Sequence, residues 1–233
     1  MNRLGLLERL GSERRSRLVL ALDKAPGGLE GACRILSSLT DCVAGVKIGL
    51  PLTLSLGVEG VREIVDRFRG DYCFIADYKL ADVPHVQAQV AEWLAKTGFH
   101  AAIFHLFPMS LHGIIERCRE LSLDVIGVAM MSHPGAALFE KCFNTLLTYA
   151  REAGVDGVVV GATRPSYIRA AREILGEEVV ILSPGVVKQG APAGDALRNG
   201  ADYEIVGRYI TGSRDPRKAA LTIVEAERGV IYG

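Results

Sequence analysis

The 233-residue sequence has no excess of either charge, since 27 Lys and Arg balance 27 Asp and Glu. A formal net charge of zero gives no electrostatic ground for binding nucleic acid or an anionic membrane surface. No apolar run reaches the ~18 residues that a membrane-spanning helix requires. Residues 1–17 are charged and do not read as the apolar core of a signal peptide. Cysteine is sparse and unpatterned: Cys33, Cys42, Cys73, Cys118 and Cys142 are odd in number, scattered, and never spaced as Cys-x-x-Cys. They are expected to be reduced and mostly buried thiols of a cytoplasmic protein. No His/Cys cluster has metal-ligand spacing, no thiamine or pyridoxal motif is evident, and no Gly-x-Gly-x-x-Gly follows the first apolar segment.

What is present is apolar content, 49% of residues, arranged in a repeating order. Short apolar runs at 18–22, 43–46, 73–79, 101–104, 125–129, 157–160, 179–182 and 203–206 read as buried strands. Between and after them, 28–39, 57–68, 82–96, 111–121, 137–153, 166–175, 195–199 and 215–228 read as helices, and 4–10 as a short amphipathic helix before the first strand. Eight alternations without an internal linker imply a parallel sheet closed into a (β/α)₈ TIM barrel. The competing doubly wound sheet lacks its phosphate-binding fingerprint. The expected division is an N-terminal extension over 1–17 and a single barrel domain over 18–233.

The third apolar run ends abruptly in charge: Cys73-Phe-Ile-Ala-Asp77-Tyr-Lys79-Leu-Ala-Asp82-Val-Pro84. On a strand, positions i and i+2 share a face, so Asp77 and Lys79 should point the same way. Asp82, just before Pro84, reads as the N-cap of the next helix. A structural ion pair plus a cap is one reading of these residues. The other gains weight from the remaining strand exits, which carry Asp23, Lys47, His105, Ser132 and Arg208. In closed parallel barrels the site lies at that end of the strands. Taken singly, His105 fits a structural role better than a catalytic one.

The last two units add a phosphate signal. Gly207 lets a backbone N–H approach closely, and Arg208 offers a forked donor. The loop over 184–192, glycine-flanked and carrying Gln189, reads either as a lid or as an ordinary surface loop. A phosphorylated small molecule is the substrate class these features suggest.

Together, Asp77-Tyr-Lys79-Leu-Ala-Asp82, Met131-Ser132-His133-Pro134-Gly135, Ser183-Pro184-Gly185-Val186 and Gly207-Arg208 resemble the orotidine 5′-monophosphate decarboxylase family in its short, barrel-only form. Related magnesium-dependent barrels, such as hexulose-6-phosphate synthase and ketogulonate-6-phosphate decarboxylase, share Asp-x-Lys-x-x-Asp. The Ser-His-Pro-Gly loop and the Gln-bearing lid resemble the nucleotide decarboxylase instead. The resemblance implies decarboxylation of orotidine 5′-monophosphate (OMP) to UMP without cofactor or metal. It further implies an array of Lys47, Asp77 and Lys79 completed by Asp82 from the second subunit of a homodimer. Asp23 and Lys47 would contact the ribose, Ser132 the pyrimidine edge, and Pro184 the substrate. Gln189 would bridge from the lid, and Gly207 and Arg208 would hold the phosphate. The sequence departs from the family in Val86, where a threonine is usual, and in His85.

Overall fold

Alternate side chains of an extended segment face opposite ways, and the architecture follows from that alternation. In the computed structural model, which describes residues 4–233, eight parallel strands close on one another in chain order. They are β1 (Leu18–Leu22), β2 (Gly45–Gly49), β3 (Cys73–Leu80), β4 (Ala101–His105), β5 (Asp124–Met130), β6 (Gly157–Val160), β7 (Val180–Pro184) and β8 (Tyr203–Val206). The larger helices between them are α2 (Gly28–Ser37), α3 (Leu50–Arg67), α4 (Pro84–Thr97), α5 (Ile115–Glu120), α6 (Ala137–Ala153) and α7 (Pro165–Leu175). Short helices α8 (Asp195–Arg198) and α9 (Arg208–Thr211) flank β8, and α10 (Pro216–Ile231) completes the outer ring.

Two cores result. Val19 and Ala21 of β1, Cys73 and Ile75 of β3, Ala101 and Ile103 of β4, and Ile126 and Val128 of β5 pack together inside the barrel. Their neighbours Leu18, Leu20, Leu22, Phe74, Ala102, Phe104 and Val125 belong to the shell between sheet and helices. Burial on both faces explains why the strands read as continuous apolar runs rather than alternating ones.

Helix α1 (Gly5–Arg14) closes one end. Leu4, Leu7 and Leu10 join the interior core. Two of its attachments are at strand beginnings: Leu4 N–H donates to Asp124 at 3.1 Å, and the Tyr203 hydroxyl donates to the Leu7 carbonyl at 3.2 Å. The opposite, C-terminal end of the strands is left as the mouth.

Several local expectations are corrected. Strand β2 runs on through Ile48 and Gly49, which pair with Ala76 and Asp77, so Lys47 lies within the strand rather than at its exit. Helix α3 begins at Leu50, seven residues before the expected start at 57, and is broken at Gly57, whose φ of 71° no helix accommodates. Asp82 is not the N-cap of α4; Val83 is, and it makes no side-chain cap. The Asp82 carboxylate instead accepts from the adjacent Val83 N–H at 2.7 Å. The helix expected over 111–121 is a 3₁₀ turn (Leu111–Gly113) followed by α5. Ser183 and Pro184 belong to β7 rather than to the loop after it, and α9 was not foreseen. Cys33, Cys42, Cys73 and Cys118 are buried and Cys142 is half-buried, all as free thiols. Among the described residues, no helix is long and apolar enough to cross a membrane.

Candidate active site

The strand ends converge on a cavity of about 490 Å³ at the barrel mouth. Its floor is the last layer of inward-facing apolar side chains, Ala21, Ile103, Val128, Val159 and Ile205. Its polar wall contains Asp23, Lys47, Asp77, Lys79, Ser132, Pro184, Gln189, Gly207 and Arg208. Of the residues singled out from sequence, Asp82 and His105 do not line it; in the single chain Asp82 is exposed on the rim.

Within this wall the charges alternate. The Lys47 ammonium lies 3.3 Å from Asp23 Oδ1 and 2.7 Å from Asp77 Oδ2. Asp77 Oδ1 in turn accepts from Lys79 Nζ at 2.7 Å. The middle of the row is buried and its ends are not: the side chains of Lys47 and Asp77 are 7% and 9% exposed, those of Asp23 and Lys79 51% and 38%. Burial opposes charge on both central groups, yet the opposite charges win. Burial would lower the Lys47 pKa, but Asp77 and Asp23 hold it above the ordinary lysine value. Burial would raise that of Asp77, but Lys47 and Lys79 hold it below the usual carboxylate value.

The backbone under this row is irregular. Between Ala76, opposite Ala102, and Leu80, opposite Phe104, β3 advances four residues while β4 advances two. The excess forms a bulge of Asp77, Tyr78 and Lys79, and Lys79 adopts a positive φ of 45°. Such a conformation in a residue other than glycine costs on the order of 1 kcal/mol or more, and persists only where its surroundings enforce it. Asp77 and Lys79 do meet, but through this bulge rather than by regular strand alternation. On β2, a Cβ at Gly49 would lie 1.9 Å from Asp23 Oδ1, so a glycine there is what allows Asp23 to lean toward Lys47.

Ser132 follows β5, and its carbonyl accepts from Thr163 Oγ1 at 2.8 Å, which ties two neighbouring exits together. The loop after β7 is a compact turn: Val187 N–H donates to the Ala191 carbonyl at 2.7 Å, and Gly190 N–H to that of Val187 at 3.1 Å. Gly185, at φ 107°, holds a conformation that a side chain would strain, and a Cβ there would press on Ser132 Cβ at 3.1 Å and Gln189 Oε1 at 3.3 Å. Gln189 is thereby folded over the cavity beside Ser132. Lys24, Lys188 and Thr211, which sequence reasoning did not single out, also line it. Only their positions beside Asp23, Gln189 and Arg208 could have signalled them.

His105 does not line the cavity. Its ring packs against Phe107 and Phe139, with centroids 4.9 and 5.8 Å away, and its Nδ1 is buried without a partner. Burial, with the nearby Lys79 charge, keeps its pKa below the ordinary histidine value, in keeping with a structural ring. Among the described residues, no three His, Cys, Asp or Glu side chains gather as a metal site.

A closed (β/α)₈ barrel whose mouth holds a buried, sign-alternating row of charges beside an arginine and a glycine-flanked lid is the architecture of a barrel enzyme acting on a small anionic substrate. The sequence model of the Orotidine 5'-phosphate decarboxylase / HUMPS family matches residues 16–223, and the chain belongs to that family. It is 39% identical over 216 residues to the orotidine 5'-phosphate decarboxylase of Methanococcoides burtonii, covering 91% of this chain and 98% of that protein. It is 40% identical over 217 residues to that of Aeropyrum pernix, covering 90% and 87%. Among solved structures, the orotidine 5'-monophosphate decarboxylase of Sulfolobus solfataricus superposes with a TM-score of 0.84 at 33% identity, covering 93% of this chain and 99% of that one. The enzyme of Methanocaldococcus jannaschii in complex with the inhibitor BMP gives 0.82 at 32% identity, covering 91% and 98%.

Proposed function

We propose that this protein decarboxylates OMP to UMP in pyrimidine biosynthesis, with Lys79 as the group that makes the reaction possible. The observation that carries this reading is the Asp23–Lys47–Asp77–Lys79 row, whose outermost ammonium reaches the open part of the cavity. Breaking the C6–carboxylate bond leaves an electron pair in the plane of the pyrimidine ring, where the ring cannot delocalise it. An ammonium fixed at C6 stabilises that pair as it forms, then transfers a proton to C6. The products are CO₂ and UMP, and the amine regains its proton from solvent. Stabilisation by a preoriented charge needs no reorganisation at the moment of reaction, so it supplies the larger share of the effect.

Asp77 would stand beside the substrate carboxylate and repel it. Like charges ~4 Å apart at an effective dielectric near 20 interact by about 4 kcal/mol, roughly three powers of ten in rate if all of it acted on the barrier. Lys47, charged and held between Asp23 and Asp77, keeps Asp77 ionised and with Asp23 contacts the ribose. Ser132 reads the base, Pro184 packs against the substrate, and Gln189 bridges from the lid. The Gly207 amide and Arg208 take the phosphate. Binding energy gathered at the phosphate drives the lid shut and excludes water from the ring.

Asp82 enters the array, in this reading, from a second copy of the chain. Two features support a homodimer. Asp82 is exposed outside its own cavity. Six of the nine large exposed apolar residues among those described, Leu50, Leu54, Val58, Val83, Phe107 and Met109, follow β2, β3 and β4, and the other three, Leu138, Ile231 and Tyr232, lie on α6 and at the C-terminal end of the chain. A concentration of exposed apolar side chains after three neighbouring strands suits an isologous interface.

The deciding experiment is loss of OMP absorbance on addition of purified protein in EDTA. Turnover undiminished by the chelator is expected. Turnover that needs added magnesium would favour the sugar-phosphate side of the family, and none under either condition would overturn the reading.

A further inference from the structure

The bulge that presents Lys79 has a tether on its outer side. Tyr78, between the two charged residues, turns away from the cavity into the shell, where it packs against the hydrophobic core. Its ring meets Phe99 edge-on at a centroid distance of 6.4 Å. Its hydroxyl lies 2.8 Å from Thr53 Oγ1. Thr53 donates to the Gly49 carbonyl at 3.3 Å, which leaves Tyr78 as the donor in the shorter contact. Burial raises the phenol pKa, so the donor keeps its proton. Gly49 is the β2 partner of Asp77 and the residue that makes room for Asp23. Thr53 sits on the first turns of α3, set apart from the rest of that helix by the break at Gly57. One chain of contacts therefore runs from the β2 end, through α3, to the middle of the β3 bulge.

We infer that Tyr78 and Thr53 are positioning residues: their hydroxyl contact holds the Asp77–Lys79 bulge in the strained form that aims the ammonium. A bulge leaves backbone unpaired along the ladder, and strain at Lys79 relaxes unless something outside the strand opposes it. The ring alone fills space. The hydroxyl fixes where along α3 the ring stops, and so where the residues on either side of it point.

This inference rests on the decarboxylase reading for its kinetic test but has a structural test that does not. Tyr78→Phe keeps the ring and removes the tether, and Thr53→Val removes its other half. Each is expected to lower kcat about fivefold to tenfold, the scale of one lost hydrogen bond, with KM and UMP affinity unchanged because the phosphate contacts are elsewhere. The double variant is expected to be no worse than either single one, as for two ends of one interaction. Thr53→Ser, which keeps the hydroxyl, should retain wild-type kcat. Wild-type kcat in Tyr78→Phe, losses that multiply in the double variant, or a parallel fall in KM-related binding would overturn the inference. Independently of turnover, a crystal structure of Tyr78→Phe should show Lys79 Nζ displaced from Asp77 Oδ1. An unchanged 2.7 Å contact and an unchanged positive φ at Lys79 would overturn it, even if the wild-type protein left OMP intact.

Discussion

Asp77 accepts from two lysines at once, Lys47 at 2.7 Å through Oδ2 and Lys79 at 2.7 Å through Oδ1. The two ammonium groups are thus held apart by a single carboxylate yet fixed relative to each other. Lys47 is spent within the array, between two acids. Among the described residues Lys79 has one carboxylate partner, and it lines the open cavity, which separates a buried support from the group proposed above to do the work.

Removal of the working group should separate chemistry from binding. Lys79→Ala is expected to lower kcat by at least about three orders of magnitude, the scale seen when a preorganised charge-stabilising donor is deleted. UMP affinity, measured by calorimetric titration, should stay within a few-fold of wild type. Near-normal turnover would take Lys79 out of the proposed role.

Removal of the support should cost stability. Lys47 and Asp77 are each more than nine-tenths buried as side chains, and stripping one partner from such a pair leaves the other charged and dry. Lys47→Met is expected to destabilise the fold by about 3–5 kcal/mol in urea titrations. A midpoint unchanged from wild type would show that Asp77 is rescued by Lys79 alone.

The dimer is tested by complementation. Lys79→Ala and Asp82→Ala proteins should each be inactive alone. If Asp82 acts across the interface, subunit exchange places both lesions in one site and leaves the other intact, restoring roughly a quarter of wild-type activity. No recovery after verified exchange would place Asp82 outside the neighbouring site. Val83→Glu, which puts a charge among those exposed apolar side chains, should shift the protein to monomer in sedimentation velocity and lower activity with it.

A buried acid away from the mouth is expected to weaken the fold at alkaline pH. Glu227 on α10 accepts from the Arg17 N–H at 2.9 Å through one oxygen, while the other is buried without a partner. Burial, reinforced by Glu204, pushes its pKa up to about 8. Because the folded pKa exceeds that of the unfolded chain, the folded state binds more protons between about pH 4.5 and 8. Its contribution to stability is full below the unfolded value and is lost as pH rises through 8. Glu227→Gln should therefore raise the melting temperature at pH 9 and change it little at pH 5. Equal shifts at both pH values would remove Glu227 as the cause.

The barrel was legible because each strand is a short apolar run, most of them closed by a polar residue, and because helices fill the gaps. The Asp77–Lys79 motif stood out for the same reason. What stayed hidden depended on tertiary contact. Lysine carries no sign of a positive φ, so neither the bulge nor the strain at Lys79 could be read from its neighbours. Tyr78 reads as one more aromatic strand residue until Thr53 is brought against it from another element. Lys47 reads as a strand exit because the apolar run over 43–46 stops at its charge, and the pairing with β3 carries the strand past it. Asp82 carries the side chain of a cap, but Val83 takes that position and Asp82 bonds its neighbour instead. The opening turns of α3 read as loop because Pro51 and the later Gly57 break the periodicity on both sides.

The leucines of α1 that fill the far end of the barrel have a consequence for traffic through the cavity. With that end stoppered, nucleotide and gas share a single doorway. Under the proposed function, CO₂, small and uncharged, would slip past the folded Gln189 loop, whereas UMP would depart only when that loop swings aside. UMP should then compete directly with OMP for the vacant site, and the opening of the loop becomes the natural ceiling on turnover once the chemical step is fast.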